Sequence, residues 1–569
     1  MRLRLPGRAV IATVALAWCA GACGRASETV GAINNVPGGP DASAGMPDAG
    51  RVESPTAMPL VPEWNCGATC YRAPDVAANP SPTTRFGGPA DPNLANRPKI
   101  VYPLVGALYP LNLADITFQW RRGPGGTQKL FRIRVTGPPG NGDVRFEFYV
   151  PCTPPPEAAA PDECIAALPP GAWLDTVGHH RGQLMDITVA AVDAKNQVAT
   201  SDPIHLNVSP DSLLGGLYYW STKRTFRLLF GARNAQLFIS PGTSANTTSC
   251  GGCHSVSVNG NVIAFTAGQA EGQLVAASTA DPSEPYFPLS TADSSTVALN
   301  PDGTRALVVY QSQLVLYNTF DGAPLKVVDP ALFGPGHVAY HPDWAPDGSA
   351  IVVTLASGVE ATDYAVHSGS IAVLSYDAGG IFGAAQVVAP ESEDDFNYYP
   401  TFSPDGKYIA FASARIAPGV TSYGQLGSRL RLVARDGGKI YELTKATHQL
   451  DHGSTWPKFA PFTQSNNNIY FITFSSKIDY GFLLNNTAMS TDDDKRPQLW
   501  LSGIDVRDFS SGDPSHPPIW LPFQDLTQVN TIGTWTQRLG CPAAGESTGC
   551  ADDEICDRDL SCRRLVPPP

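Results

Sequence analysis

The residues with the most specific chemistry in this chain are Cys250, Cys253 and His254, in the run Cys-Gly-Gly-Cys-His. Two cysteines two residues apart, followed at once by a histidine, are what covalent attachment of c-type haem requires. The two thiols add to the vinyl groups and the imidazole binds the iron. Two interpretations stay open: haem c held by these three residues, or a tight Cys250–Cys253 disulfide with His254 as an ordinary rim residue.

A six-coordinate haem iron at His254 would need a second axial ligand from elsewhere in the chain. In an ordinary cytochrome c a helix follows the motif and a methionine ligand lies in the same small domain, whereas here the continuation SVSVNGNVIAF reads as a β-strand. The chain has 5 methionines, and Met489 is the only one downstream of the motif. The candidate second ligands are therefore His337, His341, His452 and Met489.

Other metal chemistry has weaker sequence support. Structural zinc normally needs four ligands with a second close pair, and no second Cys-x-x-Cys follows the motif. Acidic runs at 391–395 and 492–494 could supply oxygen ligands for calcium in loops, but neither has the spacing of an EF-hand. We expect solvated loops at these runs, with calcium as the alternative.

The first 23 residues indicate export. Arginines at positions 2, 4 and 8 are followed by a short apolar run from 9 to 18 and by small residues before Cys23. The apolar run is far shorter than the roughly 20 residues that span a bilayer. The segment 1–23 resembles a bacterial lipoprotein signal, which implies lipid attachment at Cys23 and a membrane-anchored protein. Gly24 does not resemble an inner-membrane retention signal, so the resemblance implies the outer membrane.

Charge and cysteine content agree with an exported protein. The formal net charge is −13, and loss of the three signal arginines brings it to −16, so nucleic acid is not an expected partner. Without Cys19 and the lipid-bearing Cys23, ten of the 12 cysteines remain, an even number that favours pairing. Their spacing suggests Cys66 with Cys70 and Cys152 with Cys164, and leaves the pairing of the four tail cysteines open.

The composition changes several times along the chain. Residues 24–63 are rich in Pro, Gly, Ala and Ser and are expected to form a flexible tether. Residues 97–210 hold about five to seven short alternating segments, which predict an antiparallel sandwich with Trp120 in its core. The stretch DITVAAVDAKNQVATSDPIHLNV resembles the last strands of an immunoglobulin or fibronectin type III domain. The tail 541–569 is cysteine-rich and too small to build a core.

An internal repeat occupies residues 213–540. Segments such as NPDGTRALVVY, APDGSAIVVTL and SPDGKYIAFAS each place a turn before an alternating strand, and later strands follow each one. The turn glycines are spaced by 43, 45 and 58 residues: Gly260, Gly303, Gly348 and Gly406. This spacing is typical of four-stranded propeller blades. The SPDGKYIAF form resembles the TolB-like repeat, which implies an all-β propeller. With the strand-like segments YYWSTKRTFRLLF before the clear repeats and SHPPIWLPFQD after them, we count about six blades, and the two ends can complete one blade.

The repeat also locates the haem-like motif. Aligning its turn on the fourth repeat places Cys253 opposite Tyr399, at the beginning of an innermost strand. Inner strand ends rim the central channel, so a haem there would lie at one mouth of the pore. His337, His341 and His452 precede equivalent strands and are expected at the same rim position as His254.

Three functions remain open at this point. The first is a non-enzymatic envelope lipoprotein that binds or scaffolds an envelope protein or polymer on its propeller face. The second is a redox or ligand-binding protein with one covalent haem at the propeller mouth. The third, with the least support, is a hydrolase or lyase acting on a polymer in the channel, for which no convergent acid and base residues are identifiable.

Overall fold

The computed structural model describes residues 56–63, 68–124, 128–138, 145–156, 159–241, 251–267, 273–286, 288, 296–377, 379–464, 468–489, 494–537, 554–556 and 562–564. The N-terminal part of the described chain is built from eleven strands and two helices. The strands are Val61–Pro62 (β1), Cys70–Arg72 (β2), Lys99–Tyr102 (β3), Leu108–Tyr109 (β4), Thr117–Arg121 (β5), Leu130–Thr136 (β6), Arg145–Pro151 (β7), Glu163–Ala167 (β8), Leu184–Val192 (β9), Val198–Thr200 (β10) and Ile204–Val208 (β11). The helices are Pro82–Arg85 (α1) and Pro170–His179 (α2).

These strands form two sheets. The larger sheet has the order β1-β2-β7-β6-β9-β11-β4, with β10 paired to β9, and the smaller has the order β3-β5-β8. Their facing residues alternate with the period of a strand, and Trp120 is fully buried among them as predicted. The Cys152–Cys164 disulfide is also confirmed, with Cα atoms 4.9 Å apart.

The predicted tether ends earlier than expected. Its last residues, Val61 and Pro62, form β1 on the edge of the larger sheet, and the Met58 amide donates to the carbonyl of Ala167. A two-residue strand carries no readable periodicity, so the sequence did not reveal it. Cys70 in β2 is disulfide-bonded, while Cys66 lies outside the described residues.

The rest of the structure is a ring of six small antiparallel sheets. Their strands are Gly216–Ser221 (β12), Arg224–Leu229 (β13), Gln236–Ile239 (β14), Gly251–Val256 (β15), Val262–Ala267 (β16), Gln273–Ser278 (β17), Val297–Leu299 (β18), Arg305–Tyr310 (β19), Gln313–Asn318 (β20), Pro324–Val327 (β21), His337–Trp344 (β22), Ala350–Ser357 (β23), Ser370–Ser375 (β24), Gln386–Ala389 (β25), Asp395–Phe402 (β26), Tyr408–Arg415 (β27), Arg429–Ala434 (β28), Tyr441–Glu442 (β29), Ser454–Gln464 (β30), Ile469–Ser476 (β31), Gln498–Asp505 (β32), Ile519–Trp520 (β33) and Asn530–Thr536 (β34). A short helix, Thr444–Thr447 (α3), and 3-10 turns at Leu94–Asn96, Pro330–Phe333, Leu450–His452, Asn486–Ala488 and Phe509–Ser511 connect elements.

Each sheet is one blade of a β-propeller. Blade 1 has the order β14-β13-β12-β34, so its inner strand comes from the far end of the chain, as the sequence predicted. Blades 2 to 6 follow in chain order, from β15-β16-β17 to β30-β31-β32-β33. The all-β fold class, with a sandwich followed by a propeller of six blades, is therefore confirmed.

The turns that begin the second strands have the expected chemistry. Gly303, Gly348 and Gly406 have φ of 78°, 70° and 69°, which residues with a Cβ rarely adopt. Asp405 accepts hydrogen bonds from the Ser403 hydroxyl and the Lys407 amide. The aspartates of these turns are therefore structural, because they satisfy the local backbone.

The sandwich and the propeller share one hydrophobic core. The cluster around Phe118 and Trp173 of the sandwich continues into Leu217, Phe471 and Trp535 of blades 1 and 6. Beyond these domains, Glu554–Cys556 (β35) and Cys562–Arg564 (β36) of the tail form a hairpin with Cys556 opposite Cys562. No helix among the described residues is long and apolar enough to cross a membrane.

Candidate functional site

The candidate site is the central channel, around which the six inner strands converge. These strands are β34, β15, β18, β22, β26 and β30, in ring order. We call the end where they begin the upper face, and the end where they reach the turns of the repeats the lower face.

Five of the inner strands carry a bulge at the same level. The pairing register shifts around residues 253–254, 341–342, 399–400, 456–457 and 532–533. Cys253 is thus equivalent to Tyr399, which confirms the sequence alignment. His254 lies one position later, where other blades have Pro342 or Pro400. A bulge re-aims side chains locally, here toward the propeller axis.

Four residues of these bulges have left-handed backbone conformations. The φ angles are 47° for His341, 49° for Tyr399, 54° for Trp456 and 56° for Ile532. Such conformations cost about 1–3 kcal/mol each in non-glycine residues and cluster at functional sites. Their recurrence around one axis indicates that the surrounding blades hold this ring of residues in place.

The bulges surround a small cavity of about 70 Å³ near the upper face. Its lining is His254, Ser255, Thr296, Val297, His341, Pro342, Tyr399, Pro400, Trp456, Pro457, Lys458, Ile532 and Thr534. The volume is enough for a few water molecules or a small ligand group.

His254 is the unusual residue of the lining. Its residue exposure is 5%, and neither ring nitrogen has a hydrogen-bond partner of acceptable geometry among the described residues. Burial lowers its pKa to about 4, because a low-dielectric environment disfavours the imidazolium, and the nearby backbone of Tyr218 opposes the shift only in part. At neutral pH the ring is therefore neutral and carries a free lone pair.

His341 lies in the same cavity but is fully hydrogen-bonded. Its Nδ1 is 3.2 Å from the Thr354 hydroxyl and its Nε2 is 3.2 Å from the Tyr364 carbonyl oxygen. This pattern assigns the proton to Nε2, since a carbonyl can only accept. Burial lowers the pKa of His341 to about 3. Its ring packs on Tyr399 with centroids 4.2 Å apart, and Tyr399 stacks on Trp456 at 4.0 Å.

An ion pair crosses the channel below this cavity. Lys458 Nζ of blade 6 is 2.8 Å from Asp343 Oδ1 of blade 4, so the pair spans the intervening blade 5. The second carboxylate oxygen of Asp343 accepts from the Phe402 amide at 3.3 Å. A further cavity of about 120 Å³ lies toward the lower face, and Lys458 lines both cavities. The two cavities together are smaller than an ordinary ligand pocket.

The other predicted second ligands do not meet His254. His337 is exposed at the first position of β22, and His452 has its Nε2 2.8 Å from the Thr487 hydroxyl. Both lie four residues before a bulge, so they share a level with each other but not with His254, contrary to the sequence expectation. Met489 lines a different cavity, between the sandwich and blade 6. Cys23, Cys250 and the side chain of Cys253 lie outside the described residues.

The acidic runs show no calcium geometry where they are described. Asp395 is engaged by two guanidinium groups, those of Arg429 and Arg431, and Glu391 accepts from the Gly369 amide at 2.8 Å. Residues 492 and 493 of the other run are not among the described ones. Within the described ranges no three His, Cys, Asp or Glu side chains are grouped for a metal ion.

Sequence reasoning missed most of the channel lining. Tyr399 and Trp456, and the pair formed by Asp343 and Lys458, were not predicted as site residues. A usable signal exists, because a residue with a ring side chain precedes proline in three inner strands. The dipeptides are His341-Pro342, Tyr399-Pro400 and Trp456-Pro457. Repetition of such dipeptides in one repeat position marks a shared backbone feature.

Comparison with known proteins finds only distant structural similarity. No protein-family model and no curated protein matches the chain. Among solved structures, it is similar to a chain of a nidogen/laminin complex (12% identity, 54% of this chain, 99% of that chain, TM-score 0.33). It is also similar to the dihydro-haem d1 dehydrogenase NirN in complex with DHE (14% identity, 54% of each chain, TM-score 0.32). Similarity at this level gives no information on activity or ligand.

Proposed function

We propose that this protein is an exported, lipid-anchored β-propeller of the cell envelope that acts by binding and not by catalysis. The observation that carries the proposal is the buried imidazole of His254, which has no hydrogen-bond partner among the described residues and lies in a ring of strained bulges. A polar group buried without a partner costs about 1–3 kcal/mol, so a ligand that bonds to it recovers that free energy. The site is suited to a small ligand or to one group of a larger partner on the upper face.

The envelope location rests on the sequence and is supported by the disulfides. The Cys152–Cys164 bond and the disulfide-bonded Cys70 fit an oxidising compartment. We place the lipid on Cys23 and the protein at the outer membrane. The partner is an envelope protein or polymer that rests on the propeller face.

Catalysis in the channel has no support from the geometry. Lys458, which lines both channel cavities, is paired with Asp343, and each charge is neutralised by the other. Besides His254 and Lys458, the described lining of the upper cavity holds two titratable side chains, His341 and Tyr399. Both nitrogens of His341 are hydrogen-bonded, and the Tyr399 hydroxyl donates to the Tyr364 carbonyl. A polymer hydrolase or lyase would need an open groove with separate acid and base groups.

Covalent haem c at Cys250, Cys253 and His254 is the second candidate. It is favoured by the same observation, because a neutral imidazole with free nitrogens is the form that ligates iron. The haem would supply one-electron transfer or binding of a small ligand. The described cavity of about 70 Å³ is too small for a porphyrin. His341 is the one proposed second ligand that lines the cavity, and it would have to release the Tyr364 carbonyl.

Mass spectrometry of the mature protein tests both candidates. The protein is produced in a host that matures c-type cytochromes, and its denatured and native masses and its reduced-minus-oxidised spectrum are recorded. A covalent gain of one haem that disappears in the double variant Cys250→Ser, Cys253→Ser establishes the second candidate. A non-covalent ligand that is lost in His254→Leu but kept in the exposed control His337→Leu supports the first. If native masses show no ligand in any form, the proposal that His254 marks a ligand site is wrong.

A further inference from the structure

A larger cavity lies at the junction of the sandwich and the propeller, away from the channel. Its volume is about 560 Å³, within the range of pockets for drug-sized molecules, and junctions of this kind are common places for such pockets. One wall is the small sheet of the sandwich, through β3, β5 and β8, and the other is the segment of blade 6 between β31 and β32. This cavity is unrelated to the function proposed for the channel.

The walls of this junction cavity are held by buried side-chain amides. Gln119 is fully buried; its Nε2 donates to the Tyr480 carbonyl at 3.3 Å and its Oε1 accepts from the Phe482 amide at 2.6 Å. A Cβ at Gly481 would lie 2.2 Å from Gln119 Oε1, so the loop approaches the sandwich as closely as its backbone permits. The cavity is therefore a pre-formed feature of the interface.

Most of the lining is apolar. Partly buried side chains from both domains face the cavity: Val101, Leu104, Phe482, Leu483 and Met489. Arg121 lies with its guanidinium carbon 4.9 Å from the Phe482 ring centroid, which adds a flat wall. Such a lining fits a ligand with an aromatic or aliphatic body.

Each charged side chain of the lining has a polar partner among the described residues, with one exception. Arg121 pairs with Glu163 at 3.1 Å, and Asp479 accepts from the Thr487 hydroxyl at 2.8 Å. Arg496 lines the cavity, and its guanidinium has no ion pair or hydrogen bond among the described residues. Its backbone is fixed, because Asn486 bonds to both its amide (2.9 Å) and its carbonyl (3.2 Å).

We propose that the junction cavity binds an amphipathic carboxylate, with its apolar body against Phe482, Leu483 and Met489 and its carboxylate on Arg496. A guanidinium presents paired N–H donors that match a carboxylate, and charge-assisted bonds of this kind are the strong ones. The cavity sets the size of the ligand at roughly that of a small drug molecule. Arg121 and Glu163 already pair with each other, and Asp479 is hydrogen-bonded by Thr487.

Titration calorimetry with a matched pair of probes tests the proposal on the full mature chain. The probes are 4-phenylbutyrate and the neutral 4-phenylbutan-1-ol. We expect the acid to bind at least tenfold more tightly than the alcohol. In Arg496→Gln, the affinity for the acid should fall to that for the alcohol. Arg507→Gln is the matched control, because Arg507 is an exposed arginine of the same blade that pairs with Asp505 outside the cavity.

A second variant distinguishes binding inside the cavity from attraction of the probe to charge on the protein surface. Ala488 is exposed at the rim, so Ala488→Trp can fill the opening without disturbing the core. We expect it to abolish binding of both probes while thermal unfolding stays unchanged. The proposal is wrong if neither probe binds the wild-type protein, if Arg496→Gln leaves the preference for the acid intact, or if Ala488→Trp binds both probes normally.

Discussion

Replacing His254 by leucine should make the protein more resistant to mild acid. In the folded protein the pKa of His254 is about 4, whereas in the unfolded chain it returns to about 6.5. Between these values the unfolded chain binds a proton that the folded protein does not. Lowering the pH therefore stabilises the unfolded state, and the contribution of His254 to stability, present above pH 6.5, is lost as the pH falls toward 4.

The expected size of the effect follows from the two pKa values. From pH 7 to pH 5, proton binding to this one ring lowers the free energy of unfolding by about 2 kcal/mol. His341, with a pKa of about 3, remains neutral at pH 5 in both proteins and cancels in the comparison. At pH 7 leucine removes two unpartnered polar atoms from the cavity, so the variant should be no less stable than the wild type.

Urea unfolding followed by tryptophan fluorescence at pH 7 and pH 5 measures this difference. The apoprotein is used, so that no ligand occupies the ring. The wild type should lose about 2 kcal/mol more than His254→Leu between the two pH values. His337→Leu, at an exposed position, should behave as the wild type does. Equal losses in the wild type and His254→Leu would refute the description of a buried neutral ring.

Three further predictions concern the packing around the site. Lys458→Met should lower the free energy of unfolding in urea by about 1–3 kcal/mol, because it leaves the Asp343 carboxylate unpaired in a partly buried position. Adding Asp343→Asn should recover part of this loss. If the effects of the two substitutions simply add, the two side chains do not form a direct pair. Gln119→Ala should lower the free energy of unfolding by about 2–4 kcal/mol. It should also speed hydrogen exchange at the Phe482 amide, because it removes the oxygen that this amide bonds to. Unchanged exchange would show that other contacts hold the loop. Trp535→Ala in β34 should lower the free energy of unfolding by about 3–5 kcal/mol, measured by thermal unfolding, because the residue is only 4% exposed in the shared core. A loss below about 1 kcal/mol would mean that blade 1 closes without this side chain.

The sequence predicted the repeating part of the fold well, because its signals are local. The turns at Gly348 and Gly406 and the alternating strands after them are each set by residues within about ten positions. The parts it missed depend on contacts between distant residues. Helix α2 packs Trp173 between the two sheets of the sandwich, yet it lies in a stretch expected to hold only strands. The short β1 exists only because the larger sheet offers an edge.

The site was predicted in position but not in composition. Repeat alignment placed Cys253 opposite Tyr399, which the bulges confirm. It could not show that His254 points to the axis, since a bulge shifts one strand by a residue and reverses the alternation of its side chains. It could not pair Asp343 with Lys458 either, because two blades that are not neighbours in sequence meet only when the ring has closed.

The closure of blade 1 has a consequence for how the chain is synthesised. The strand β12 ends at residue 221 and its inner partner β34 begins at residue 530. At roughly 5–20 residues per second, the ribosome needs about 15–60 s to complete the interval. During that time the edge of β12 that holds Tyr218 and Trp220 has no partner strand, and such an edge invites pairing with another chain. A nascent chain of this protein is thus a natural client for chaperones until its last blade strand emerges.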